Sequence, residues 1–295
     1  MSSSHSSKIR PLLAALCVFF GAILWGVVWY PMRLLEDRGL QGVWLTLALF
    51  GSALLASLPW SYRAAGRFAR TPGWFGILTL SAGWTNIAFV EAILDGNVLR
   101  VLLLFYLSPL WATLMGWALL RENVSRVAAA SLAIALGGAL VMLWNPEIGV
   151  PWPQGHADWF ALSSGFAFAL SNVSTRRLQH ATVSAKIFCV GFGVTAMAGV
   201  IIVLRGVPAP TVSAGVIGGA VALGVFGILA MVLLIQYGVS HIPVYRSAVI
   251  TFVELVAGAI SQALLTEEVV TPREWLGGAL IVLGAYLAAR VSAHE

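Results

Sequence analysis

Residues 97–120 read NVLRVLLLFYLSPLWATLMGWALL, an apolar run with a single charge, Arg100, and a single proline, Pro109. At 1.5 Å per residue a helix of this length reaches about 36 Å, enough to cross the roughly 30 Å hydrocarbon core of a bilayer. A proline in mid-helix frees a carbonyl, which lipid tolerates only where the backbone is buried in protein or lines a cavity. This stretch therefore predicts a broken membrane helix.

The pattern recurs on both sides of it. Apolar runs at 12–30, 41–60, 72–93, 97–120, 126–144, 157–175, 186–204, 213–237, 242–265 and 273–290 give ten candidate spans. The whole chain of 295 residues is 59% hydrophobic and only 10% charged, with a mean hydropathy of +0.90. Soluble domains carry about 25% charged residues, so a soluble enzyme is excluded, and the short connections leave no room for a folded extramembrane domain. The predicted fold class is all-α integral membrane, with ten transmembrane helices.

Residues 1–11 read as a disordered N-terminus and 291–295 as a short tail. Lys8 and Arg10 precede the first run as in a signal peptide. The run is too long for one, however, and Trp29-Tyr30-Pro31 offers no small-residue cleavage site. The long connector, 145–156, contains Pro146, Pro151 and Pro153 and separates a first half, 12–144, from a second, 157–290.

Lysine and arginine favour cytoplasmic loops. With the N-terminus inside, the cytoplasmic side receives Lys8, Arg10, Arg63, Arg67, Arg70, Arg121, Arg126, Arg176, Arg177, Lys186, Arg246 and Arg290, and the other side only Arg33, Arg38, Arg100, Arg205 and Arg273. Both termini are therefore expected in the cytoplasm. Because these charges are scattered rather than clustered, the net charge of +5 reads as a topology signal and not as a nucleic-acid footprint. A shift of 146 residues carries Arg100 onto Arg246, Pro109 onto Leu255, Glu122 onto Glu268, Ser125 onto Thr271 and Gly138-Ala139 onto Gly284-Ala285. Five spans per half is an odd number, so the second half should enter the membrane upside down: two inverted five-helix repeats, the architecture of secondary transporters.

Trp25-Gly26, Ser108-Pro109-Leu110-Trp111 followed by Glu122-Asn123-Val124-Ser125, and Glu254-Leu255 followed by Glu267-Glu268 and Thr271 appear in that order along the chain. In these motifs the sequence resembles the drug/metabolite transporter superfamily in its ten-helix EamA-type branch, over nearly its whole length. It departs from the family's common Glu-Pro pair at Leu255. Within that branch the tryptophans and Tyr106-Leu107 ahead of Ser108-Pro109 are similar to the YddG-type aromatic amino acid exporters. The resemblance implies export of small metabolites across the inner membrane by alternating access: aromatic amino acids and planar organic cations such as paraquat.

Candidate substrate contacts are Trp25, Trp84, Ser108, Trp111, Phe168, Asn172 and Glu254. Most other tryptophans sit at span ends, where they anchor at the interface, whereas Trp25, Trp84 and Trp111 lie deeper and read equally as packing or cavity residues. Arg100, Leu104, Leu107, Ser108 and Trp111 fall on one helical stripe, as do Ser164, Phe168 and Asn172. Glu254 lies near the middle of its span, where a charge costs several kcal/mol. It must be paired, protonated or facing water, and it can serve substrate recognition, proton coupling or helix bridging. Glu91 and Arg100, nearer the outer surface, are candidates for coupling or gating, with solvation the plain alternative. No catalytic constellation, metal-ligand spacing or phosphate loop is present, so neither enzyme activity nor a cofactor is expected. The expected partners are a small-molecule substrate and the lipid bilayer. Rival functions are export of aliphatic amino acids or lipophilic drugs, an intramembrane enzyme, or a structural membrane subunit.

Overall fold

The computed structural model describes residues 3–61, 71–145, 153–266 and 270–290, and among these it is helical with no strand. Lipid supplies no hydrogen bonds to backbone, so each crossing segment must satisfy its own. The first half consists of α1 (Ser3–Val27), α2 (Trp29–Glu36), α3 (Gly42–Ser61), α4 (Pro72–Asp95), α5 (Val98–Phe105), α6 (Ser108–Leu120) and α7 (Arg126–Leu143). The second consists of α8 (His156–Arg177), α9 (Val183–Arg205), α10 (Ala214–Ala222), a π-helical turn (Leu223–Ile228), α11 (Leu229–His241), α12 (Val244–Thr251), α13 (Val253–Leu265) and α14 (Pro272–Arg290).

Eight segments among the described residues are long and apolar enough to cross a membrane. The two other expected spans are helical but more polar. Helix α8 carries five serines and threonines together with Asn172, nearly all of them turned inward, and α14 opens with Arg273-Glu274 and ends in Arg290. Where a disordered N-terminus was expected, the helix begins at Ser3, and the first crossing segment runs on through α2 to Glu36. The expected tail at 291–295 lies outside the described residues.

Contacts sort the helix ends into two groups. At one end Glu122 meets the start of α12 and Arg176 at the end of α8, Ser61 at the end of α3 bonds Ser184 at the start of α9, and buried Arg246 reaches the last carbonyls of α14. The start of α1 packs there against the end of α11, with Gly238 against Ala14 and Val18. At the opposite end Glu91 pairs with Arg205, Arg100 with Gln154 and Asp158, and Arg273 with the Trp144 carbonyl. Arg100 and its counterpart Arg246 under the 146-residue shift thus lie at opposite ends.

Packing between the halves is reciprocal. Helix α1 packs on α11 and α13, and α8 packs on α4, α5 and α6; α3 pairs with α9 and α7 with α14. At the α7–α14 crossing, a β-carbon at Gly138 would stand 2.6 Å from the Gly277 carbonyl oxygen, and one at Gly277 2.6 Å from that of Gly138. One turn and more further on, Gly284 faces the Ser131 carbonyl. The 146-residue shift carries Gly138 onto Gly284 and Ser131 onto Gly277, so the two contacts exchange. Small residues bring backbones together where lipid offers no hydrophobic drive for helix association.

Gly277→Val should therefore lower the thermal stability of the detergent-solubilised protein, by about 1–3 kcal/mol for an overpacked contact. Gly137→Val is the control, because nothing lies within 4 Å of a β-carbon there. Equal melting temperatures for the two variants would refute the close crossing.

Candidate functional site

The site begins with two interrupted helices. Pro109 cannot donate to the Phe105 carbonyl, and the chain turns through Tyr106-Leu107 between α5 and α6. The second break, at Phe252 between α12 and α13, has no proline: Leu255 stands at the equivalent position, and its N–H bonds back to the Phe252 carbonyl at 3.0 Å. The shift of 146 carries Tyr106 onto Phe252, and the two rings stack with centroids 5.9 Å apart. Each break is covered by a glycine of the opposite half, Gly165 of α8 against the Phe105 carbonyl and Gly26 of α1 against that of Glu254.

Around these breaks lies a cavity of about 230 Å³. Helix α4 contributes Ala82, Thr85, Asn86 and Phe89, a stripe at three- and four-residue spacing, and α8 contributes Phe168, Ser171 and Asn172. Trp25, Phe50, Phe105, Tyr106 and Phe252 supply further aromatic surface. Among the lining residues only Glu254 is charged, and its carboxylate accepts a hydrogen bond from the Tyr106 hydroxyl.

Of the residues expected from sequence, the cavity brings together Trp25, Ser108, Phe168, Asn172 and Glu254. Trp84 and Trp111 are not among its lining. Trp84 lies about half a turn from the Ala82–Phe89 stripe, is 40% exposed, and donates to the Ser163 hydroxyl at 3.3 Å. Trp111 meets Phe166 edge to face at 5.9 Å. The expected stripe through Leu104, Leu107 and Trp111 carried a single helical phase across the break at Pro109. The turn at Tyr106-Leu107 instead presents Leu102, Phe105, Tyr106, Ser108, Pro109 and Ala112. Ser164, on the same face of α8 as Phe168 and Asn172, does not line the cavity but donates to the Thr85 carbonyl at 2.7 Å, tying α8 to α4. Glu91 and Arg100 serve the far end: Glu91 holds Arg205 through both oxygens at 2.8 and 2.9 Å, and Arg100 donates to Gln154 at 2.9 Å. Glu267 and Glu268 fall outside the described residues.

Sequence reasoning missed the polar network beneath the cavity, at the Glu122 end. Gln236 lines the cavity and accepts from Thr175 at 2.9 Å. Its backbone carbonyl accepts from Ser240, whose hydroxyl in turn receives the Lys186 ammonium at 2.6 Å. Arg176 bonds the Ser240 carbonyl at 2.9 Å and Glu122 at 3.3 Å, and Glu122 accepts the Val244 N–H at 2.8 Å. Burial pushes the Glu122 carboxyl above the usual carboxylate range, while Val244 and Arg176 pull it back. The available signal was a lysine only three residues inside an apolar helix.

Helical segments long enough to cross a bilayer, reciprocal packing of two halves and a central cavity between them are the features of a membrane transporter. The chain belongs to the EamA-like transporter family, which matches residues 12–144 and again 156–290. It is 24% identical over 282 residues to an uncharacterized transporter of Archaeoglobus fulgidus, covering 92% of this chain and 95% of that one. It is 25% identical over 176 residues to the protein RarD of Salmonella typhi, covering 57% of this chain and 55% of RarD. A solved structure titled "Crystal structure of protein" shares the fold with a TM-score of 0.76 at 18% identity, covering 95% of this chain and 98% of that one.

The closed Glu122 end can be checked by thiol labelling in a variant lacking Cys17 and Cys189. A cysteine replacing Asn172 in the cavity should react with a small water-soluble reagent, whereas one replacing Lys186, fully buried, should react only through local opening. Equal labelling rates would refute the closure.

Proposed function

We propose that this chain is a secondary exporter in the plasma membrane that carries small amines with aromatic bodies, aromatic amino acids and planar organic cations such as paraquat among them. The observation that carries this reading is the cavity itself: a largely aromatic lining with one carboxylate, Glu254, oriented by Tyr106. Ring faces attract cations by about 0.5–2 kcal/mol, more when water is excluded, and the carboxylate supplies the charge that fixes an ammonium in place.

In this proposal ten segments cross the membrane, the second half inverted relative to the first, and the halves rock about the cavity. Reciprocal packing and the opposite placement of Arg100 and Arg246 support it. The excess of lysine and arginine on one side puts both termini and the Glu122 end in the cytoplasm. Trp84 and Trp111 act in this scheme as supports behind the path, and Glu91 and Arg100 as closures of its outer end. Glu254 couples transport to protons by holding the ammonium when ionised and releasing it when protonated.

Proteoliposomes containing only this protein test the reading. Glu254→Gln keeps shape and hydrogen bonding but cannot titrate. Losing a charge-assisted hydrogen bond of about 1.5–3 kcal/mol should lower uptake of phenethylamine or paraquat at least roughly tenfold, and an imposed pH gradient should no longer change the rate. Wild-type uptake and pH response in this variant would sink the proposal.

A further inference from the structure

The mechanism above uses Glu254 and leaves Lys186 without a task. Lys186 is fully buried, and the only hydrogen-bond partner of its ammonium among the described residues is the Ser240 hydroxyl. Burying an ammonium is costly unless a counter-charge or several acceptors compensate. Arg176, in the same network through Ser240, carries a charge of the same sign. Glu122, the carboxylate of this network, is engaged by Arg176 and the Val244 N–H. The network therefore holds two cations against one carboxylate.

That surplus positive charge sits directly behind the cavity wall. One hydroxyl, Ser240, links the Lys186 ammonium to the Gln236 carbonyl, and Gln236 lines the cavity. Thr175 donates to the Gln236 side-chain oxygen. With its acceptor occupied, the amide is set to offer its N–H₂ group as a donor. Glu254, the negative group, lies near the helix breaks, several turns from the Glu122 end. The cavity is thus bipolar, with an acceptor at its centre and a donor backed by a buried cation at its floor.

We propose that Gln236, with Lys186 behind it, forms a second subsite that takes the carboxylate of a zwitterionic substrate whose ammonium rests on Glu254. Gln236 is the contacting residue and Lys186 a positioning charge. A carboxylate bound there would provide the counter-charge that Lys186 lacks. The subsite rests on the amine-carrying reading above and deepens it: molecules bearing both an ammonium and a carboxylate are held at two points, and simple amines at one.

Competition binding to the purified full-length protein tests this with two probes that differ only in the carboxylate, phenylalanine and phenethylamine. Gln236→Glu sets a negative charge at the floor. It should weaken phenylalanine about tenfold, the scale of a lost charge-assisted hydrogen bond, while leaving phenethylamine unchanged or tighter. Lys186→Met should weaken phenylalanine alone, and Lys186→Arg, which keeps the charge, should restore it. Gln236→Leu, which adds no charge and is checked for monodispersity, covers the case in which Gln236→Glu fails to fold; it should again weaken phenylalanine alone. Parallel changes for both probes, or none for phenylalanine, would overturn the subsite. Failure of the wild-type protein to bind phenethylamine would instead overturn the amine-carrying reading itself.

Discussion

Backbone carbonyls released inside a membrane must be covered, and this requirement organises the centre of the protein. Two crossing segments are interrupted, at Tyr106 and at Phe252, and lipid cannot hydrate the carbonyls that the interruptions disturb. Gly165 brings α8 against the Phe105 carbonyl, which Pro109 leaves without a helical donor, and Gly26 brings α1 against the Glu254 carbonyl just past the second break. Each cover comes from the opposite half, so neither half can bury its broken helix alone. The stacking of Tyr106 on Phe252 joins the two breaks, and the space the turns leave beside them is the cavity.

The same dependence sets the electrostatics. A carboxylate near the bilayer centre would be unfavourable against lipid, but Glu254 faces a cavity and accepts from Tyr106 of the other half. At the Glu122 end, polar groups from α8, α9, α11 and α12 and the turn before α7 form one continuous network beneath the cavity. At the Glu91 end the links are separate ion pairs, and the Arg205 side chain is 54% exposed. The two ends are therefore held by different chemistry, one a continuous network and the other separate pairs. Opening the first requires several coupled hydrogen bonds to part together, a cooperative cost that separate pairs do not impose.

Much of this was legible in the sequence. Apolar run lengths gave the helices, eight of them long and apolar enough to cross a membrane among the described residues, because a bilayer fixes how many residues a helix needs. The 146-residue shift gave a correspondence between halves, and the mid-span position of Glu254 singled out a carboxyl group that lines the cavity. Trp25, Ser108, Phe168 and Asn172, read from depth and helical period, do line the cavity. The same period misplaced Trp84 and Trp111. Depth identifies residues away from the interface but not the face they present, and an unbroken 3.6-residue repeat carries the wrong phase across the turn at Tyr106-Leu107.

Composition and period by themselves determined that the chain lives in lipid, that it is built twice, and roughly where each helix starts and stops, since these follow from the thickness of the solvent and from local hydrogen bonding. Only the tertiary structure decided that a helix without proline breaks at Phe252, that Tyr106 holds Glu254, and that Lys186 lies buried with the Ser240 hydroxyl as its hydrogen-bond partner among the described residues. Those features arise between residues more than fifty positions apart. Their energies depend on which neighbour covers a carbonyl or faces a charge, and no local pattern in the sequence records that.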